Sequence, residues 1–519
     1  MSTVPPAKVV DCVVIGAGHN GLSCAAYLAR AGRSVLVLEA GARIGGAAAT
    51  REFAPGFRVS AGAHLLHSMP LRLRTELRLE AHGLSMAAES MPTTALLQDA
   101  SALVIDAAGG AIEAAAHAAY DARMRRLAAA ILPALLRTPP RLQGRSWSER
   151  LEWLRLAMRL RLLGRRDMRE LLRIGAMNVF DLLQEHFESE ALKGALAFDA
   201  VLGTHYGPRS PGSVFTLLYR LAGQAAAGGM GLAQPKGGMG AVCEALASTA
   251  CAAGAEVRTG ASVARITVEG DRATGVELQS GERIAARAVI SSADPKTTLL
   301  CLLGARHLDA GFVRRIAQLR TRGVAAKLHL ALDRAPAFAG LDARRLRGRL
   351  LIAPSMHYIE RAYDHAKYGE YSAAPAMEIT VPTINDASLA PPGRHVLSAI
   401  VQYAPYTLTG GWESGRARFL ELALGLLERH APGLRESIVA TELLAPPDIE
   451  REFRITGGHW HHVELALDQF HCLRPVPGAS RYRAPLSGLF LCGAGCSPGG
   501  GVIGTAGRNA ALQVTQETH

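Results

Sequence analysis

No two cysteines of this 519-residue chain are spaced Cys-x-x-Cys, and no Cys-x4-Cys follows its first glycine cluster. The eight cysteines, Cys12, Cys24, Cys243, Cys251, Cys301, Cys472, Cys492 and Cys496, are scattered. That excludes a redox-active dithiol pair and fits a reduced, cytoplasmic compartment. Two stretches lack charge, Cys12–Ala29 and Ala484–Gly507, and both are long enough to span a bilayer. Glycines at turn positions, with Pro485 and Pro498 in the second, make them strand–loop–helix units instead. Residues 1–8 have no apolar core, so neither a secretory signal nor an Arg-rich transit peptide is expected. Hydrophobic residues make up 49% and charged residues 20%, which is a globular rather than a disordered balance. The net charge of +12 permits an acidic partner surface without naming one, and no nucleic-acid partner is expected.

What is present is organised around residues 8–50. Val9–Ile15 is an almost wholly apolar, β-branched run suited to a buried parallel strand. Gly16-Ala17-Gly18-His19-Asn20-Gly21 follows, then an Ala-rich helical pattern over 22–31, then a second strand, 34–38, ending at Glu39. In such a unit the first glycine permits the turn and the second lets backbone approach a pyrophosphate. The third lets helix and strand pack, and the helix N-terminus faces the phosphates. Glu39, eighteen residues after Gly21, is placed to accept ribose hydrogen bonds. A nicotinamide-binding unit usually runs from its acid into another helix. Here Arg43-Ile44-Gly45-Gly46-Ala47-Ala48-Ala49-Thr50 brings a glycine pair within seven residues, so backbone approaches the ligand again.

This second glycine signature resembles that of the flavoproteins related to amine oxidases and carotenoid desaturases. The resemblance implies FAD: Glu39 and Ala40 at the ribose, Arg43, Gly45, Gly46 and Ala47 along the dinucleotide, and the small-residue run Ala61-Gly62-Ala63-His64 beside the isoalloxazine. Farther on, Pro235-Lys236-Gly237-Gly238-Met239-Gly240 leads into a helix over 241–253. Short strands are expected over 255–258, 262–268, 273–279 and 282–286. A last one over 287–294 ends in Ser291-Ser292-Ala293-Asp294-Pro295. These also match the family, which implies a backbone contact from Val263 to adenine. Near the C-terminus, Gly493-Ala494-Gly495 and Gly499-Gly500-Gly501-Val502-Ile503-Gly504 resemble the family's C-terminal FAD motif. There a helix N-terminus faces the flavin N1/C2 edge and stabilises charge on it. With GAGHNGL near the start and GRNAA near the end, the match narrows to a phytoene-desaturase-related branch, that of pyridine nucleotide-disulphide oxidoreductase domain-containing protein 2. Cys496-Ser497 departs from it, since relatives often carry a His before the Pro.

The expected fold is α/β: a Rossmann-like FAD-binding domain of the glutathione reductase/amine oxidase type with an inserted α+β substrate domain. Its expected parts are FAD domain at 1–70, helical substrate region at 71–229, FAD domain at 230–300, substrate domain at 301–469 and FAD domain at 470–519. Residues 71 to about 230 read as mostly helical. Within them Arg137 to Arg173 holds eleven Arg against four acids, seven of the twelve net positive charges. In 151–163, Arg155 and Arg159 mark one face and Leu151, Leu154, Met158 and Leu162 another. An ordinary cap helix with a solvated Arg face is expected; rest on anionic lipid is the alternative.

Candidates for the chemistry are His64, beside the flavin by resemblance, and His459 and His461 of Gly457-Gly458-His459-Trp460-His461-His462. In a strand, His459 and His461 would share one face. No carboxylate or Cys stands at ligand spacing, so no metal is expected. The expected activity is FAD-dependent dehydrogenation of a small hydrophobic substrate, with dioxygen or a quinone as external acceptor. The glycines at 499–504 are followed by only fifteen residues, too few for a second nucleotide-binding unit. A flavin amine oxidase and a non-catalytic binding protein of the same fold are the alternatives. Oligomeric state is not legible.

Overall fold

A computed structural model describes residues 9–99, 101–105, 113–141, 147–229 and 231–517. The amino-terminal segment read as lacking a signal, and Arg145 of the basic stretch, lie outside the described residues. Five parallel strands form the first sheet, in the order Glu256–Arg258, Val35–Leu38, Val10–Ile15, Arg283–Ser291, Leu489–Leu491. Three distant stretches of chain therefore build one sheet, with the opening strand at its centre. Val10–Ile15 is apolar on both faces because both are covered. An antiparallel meander, Val263–Glu269 and Arg272–Leu278, joins the early half of Arg283–Ser291. The two strands expected over 282–294 are one nine-residue strand. No turn residue separates Ala286 from Arg287, and the strand simply changes partner along its length.

Helices His19–Arg30, Gly240–Ala252 and Thr505–Glu517 pack together beside this sheet. Glycine sets the closeness of two approaches. A Cβ on Gly507 would lie 2.0 Å from the Asn20 carbonyl oxygen, and one on Gly21 2.0 Å from that of Gly16. Both are well inside contact distance, so neither position accepts a side chain.

The second sheet has seven strands in the order Ile438–Leu444, Ala325–Leu332, His395–Gln402, Met377–Thr380, Arg349–Ile352, Thr93–Leu96, Ala102–Ile105. The last two correct the reading of 71–230 as mostly helical. Thr93–Leu96 pairs in parallel with Arg349–Ile352, and Met86–Met91 pairs with Leu232–Pro235. Their β-branched and small residues fit a covered sheet edge rather than a helix. The remainder of that region does form helices, among them Ala114–Leu136, Glu190–Val201 and Ser213–Ala226.

Helix Trp147–Leu162 forms with its Arg face solvated, as expected, but the apolar stripe beside that face is not the side that packs. Trp153, Leu156 and Leu160 are the half-buried inner face, whereas Leu151, Leu154, Met158 and Leu162 are exposed with the arginines. Among the described residues no helix is long and apolar enough to cross a membrane. All eight cysteines are free.

The loops that close the C-terminal part are held by Arg474, whose side chain is fully buried. Its guanidinium donates to six backbone carbonyls, those of His461, Val463, Glu464, Gln469, Ala494 and Cys496, at 2.8 to 3.2 Å. Burial lowers its pKa to about 10, which still leaves it charged at neutral pH. Lysine has three donors and no planar fork, and cannot reproduce this set. Arg474→Lys should lower stability by about 2–4 kcal/mol. Urea unfolding followed by flavin release checks this, and an unchanged midpoint would contradict it.

Candidate active site

A cavity of about 390 Å³ opens at the carboxyl ends of the parallel strands, walled by Ile15, Leu38 and Ser292 on that side. The turn after the first strand builds one part of the wall. Gly16 has φ +92° and Gly18 is the residue before helix His19–Arg30, so that helix's N-terminus faces the cavity. The second glycine signature packs on the first. Gly45 N–H donates to the Ala17 carbonyl at 2.9 Å, and Gly45 and Gly46 have φ of +114° and +54°. Glu39 ties the two together, accepting from Ala17 N–H and Gly41 N–H, each at 2.8 Å. Each carboxylate oxygen keeps a lone pair for a hydroxyl on the cavity side. The C-terminal loop adds Gly501 and Val502. Val502 sits at φ +56°, a strained conformation for a β-branched residue, just before helix Thr505–Glu517.

A buried chain of charge forms another part of the wall. Arg220 lies 3.4 Å from Asp199, and Asp199 2.5 Å from Arg349. Arg349 pairs with Glu378, and Glu378 lies 2.8 Å from His64 Nε2. His64 Nδ1 is 2.7 Å from Lys327 Nζ. Burial, reinforced by Lys327, lowers the His64 pKa to about 4, so the ring is neutral. The neighbours then set its tautomer: Nε2–H donates to Glu378 and Nδ1 accepts from Lys327. Burial opposes ionisation of Glu378, but Arg349 and His64 outweigh it and hold its pKa well below the ordinary value. Burial lowers the Lys327 pKa to about 7.

Six buried polar atoms on the cavity wall have no hydrogen-bond partner: His19 Nε2, Asn20 Oδ1, His67 Nδ1, Arg220 Nε, His461 Nδ1 and His462 Nδ1. Such an atom costs about 1–3 kcal/mol unpaired. The five other than Arg220 Nε, with a phosphate-approaching glycine turn and an acid at the ribose position, fit a dinucleotide. Residues 21–515 match the profile of flavin-containing amine oxidoreductases. The chain belongs to that family.

Among relatives, pyridine nucleotide-disulfide oxidoreductase domain-containing protein 2 of Mus musculus is 38% identical, covering 98% of this chain and 93% of its own. A phytoene dehydrogenase of Streptomyces griseus is 29% identical over 97% and 94%. Cyclohexylamine oxidase from Brevibacterium oxydans shares the fold, with a TM-score of 0.60 at 16% identity over 98% and 100% of the two chains. The branch seen in the sequence is thus the right one, the fold is the amine-oxidase type, and the protein is an FAD-dependent oxidoreductase.

In this flavoenzyme the cavity gathers Gly16, Gly18, His19, Asn20, Glu39, Ala40, Gly45, Gly46, Ala47, Gly62, Ala63, His64, Val263, Gly501 and Val502 of the expected cofactor residues. Others stand behind the wall or away from it. Ala17 and Gly21 serve the turn and helix packing. Ala61 O lies 3.4 Å from His329 Nε2, Gly493 and Gly495 pack on Ser292 and Pro295, and Ile503 joins the helical core. Arg43 is exposed and away from the cavity. The histidine motif is a loop, not a strand, because Gly457 and Gly458 take positive φ and His462 has φ +65°. His461 therefore reaches the cavity, while His459 lies behind it with Nε2 3.5 Å from Glu464. A Cβ on Gly500 would meet His461 Nδ1 at 2.3 Å, so the C-terminal glycines make room for this ring. Sequence reasoning missed His67, Asp199, Arg220, Lys327, Glu378 and His462. Lys327 and Glu378 carried a usable signal, since each is a charge inside a wholly buried strand.

The two turn glycines separate ligand from fold. A Cβ on Gly18 meets nothing nearer than Ser292 Oγ at 3.8 Å, whereas one on Gly21 collides with backbone. Gly18→Val should fold with its far-UV circular dichroism intact and retain less than about a tenth of the FAD. Gly21→Val should lose soluble protein. Gly18→Val purified with full flavin content would contradict the assignment.

Proposed function

We propose that this enzyme dehydrogenates a largely apolar, uncharged or anionic organic substrate by loss of hydride from a carbon, and passes the electrons to dioxygen or a quinone. The observation that carries this is the cation at the end of the buried chain. Arg220, whose Nε lies 3.4 Å from Asp199 and makes no hydrogen bond, faces a cavity whose wall includes Leu65, Leu202, Ile400, Leu465 and Trp460. The two acids near it, Asp199 and Glu378, are already engaged by Arg349. A protonated amine would therefore meet a guanidinium in a low-dielectric site, which is costly. The apolar walls suit a hydrocarbon body. The name of the Streptomyces griseus relative agrees with dehydrogenation.

FAD, when bound, supplies the two-electron acceptor. The chain's own part is to hold Gly62–His64 against the cavity, exclude water and set the local field. His64 has both ring nitrogens engaged, so it acts here as the neutral link between Lys327 and Glu378. An external acceptor is favoured because the Gly16–Gly18 turn and the Gly500–Gly501 loop both line this one cavity, which leaves neither to a separate nicotinamide nucleotide. Anaerobic stopped-flow checks both points. Geraniol or limonene should bleach the flavin faster than decylamine, and NADH and NADPH should not bleach it saturably. Faster bleaching by the amine, or rapid bleaching by either nucleotide, would contradict the proposal.

Lys327 gives a pH dependence. Its pKa, lowered to about 7, leaves it charged below that pH and neutral above. With Glu378, Arg349, Asp199 and Arg220 ionised, the chain carries one positive charge below pH 7 and none above. A positive wall favours the negative charge that hydride brings into the cavity. Substrate-driven bleaching should be about tenfold faster at the acidic plateau. Lys327→Met should abolish this step and run at the slower rate; a variant that keeps the step would contradict the assignment.

A further inference from the structure

The outward face of helix Trp147–Leu162 is apolar and has no cover among the described residues. Trp147, Leu151, Leu154, Met158 and Leu162 are 83, 44, 57, 51 and 78% exposed. Their spacings of four, three, four and four residues place them on one stripe of an α-helix. The helix does not need this stripe to pack, because Trp153, Leu156 and Leu160 on the opposite side already face the protein, with Trp153 Nε1–H donating to the Arg141 carbonyl. At 100° per residue, Arg155 and Arg159 flank the stripe on one side, Arg150 and Arg161 on the other. Arg159, Arg161, Arg165 and Arg166 are exposed and make no ion pair with a described carboxylate. A groove of about 680 Å³ lies alongside, where Glu152 pairs with Arg137 and Arg155 and Glu149 pairs with Arg481, leaving Arg159 as the groove's arginine without an ion pair to a described carboxylate.

We propose that this helix docks the protein on a lipid bilayer bearing anionic headgroups. The stripe enters the boundary between headgroups and acyl chains, Trp147 sits at that boundary, and Arg159, Arg161, Arg165 and Arg166 meet lipid phosphates. Charge selects this occupant. A second copy of the chain would bring the same unpaired arginines against themselves, whereas an anionic membrane neutralises them. The helix lies on the bilayer rather than through it, since it is sixteen residues long and carries four arginines. This inference stands apart from the substrate reading, because it rests on a surface outside the cavity.

The test uses the FAD-loaded protein and vesicles of phosphatidylcholine alone or with about one-third phosphatidylglycerol. Co-sedimentation should occur with the anionic vesicles and fall about tenfold when salt is raised to about 0.5 M. Brominated acyl chains should quench tryptophan fluorescence on binding, and Trp147→Phe should lose most of that quenching. The double variant Leu154→Asp, Met158→Asp alters only exposed positions. It should keep its flavin and its melting temperature yet lose sedimentation about tenfold or more. The proposal is overturned by absent sedimentation, equal binding to neutral vesicles, or a double variant that still sediments. It is also overturned by a protein-concentration-dependent dimer that the double variant abolishes, which would assign the stripe to a second copy.

Discussion

One guanidinium with no carboxylate in contact holds the catalytic half of the cavity together. Arg474 is neutralised by carbonyl dipoles from two segments, 461–469 and 494–496, and so fixes the histidine loop against the C-terminal glycine loop. His461 lies against Gly500, and Tyr219 of the cap helix donates to the Gly500 carbonyl at 2.8 Å. Val502 is held in its strained conformation within the same unit. A charge buried this way is worth its desolvation only because every donor finds an acceptor, which makes the arrangement all-or-none.

The cavity has two characters that follow from the two sheets. The parallel sheet contributes backbone, glycine turns and helix N-termini, with the acids Glu39 and Asp294. The second sheet and the cap helices contribute side-chain charge, Lys327, Glu378, Arg349, Asp199 and Arg220, with neutral His64 from the 61–64 loop linking Lys327 to Glu378. Backbone N–H groups suit a ligand whose phosphates are constant. A buried relay of paired ions, open at Arg220, suits discrimination among substrates, because the wrong charge there has no solvent to screen it.

This division also explains what was legible in the sequence. Gly16, Gly18, Glu39, Gly45 and Gly501 stand in local patterns, a strand, a turn and a helix, and local patterns survive in one dimension. The sheet built from 10–38, 256–291 and 489–491 was legible for the same reason. Asp199 and Arg220 sit in cap helices, and Asp199 meets Arg220 and Arg349 only through tertiary packing, so nothing near them in sequence marks them. The stripe at 147–162 was legible as a pattern but not in direction, because the helix is apolar on two sides and periodicity alone does not say which side faces inward. Thr93–Leu96 was not singled out as a strand within the mostly helical stretch 71–230 because its pairing partner, Arg349–Ile352, lies far along the chain.

A crystal structure of the FAD-loaded protein tests the central claim most directly, namely that backbone holds the cofactor while Arg220 is left for the substrate. The account predicts adenosine against Glu39 and Val263, with the Arg220 guanidinium making no hydrogen bond to any part of FAD. A cofactor seated with Arg220 bonded to its flavin or phosphates would contradict it.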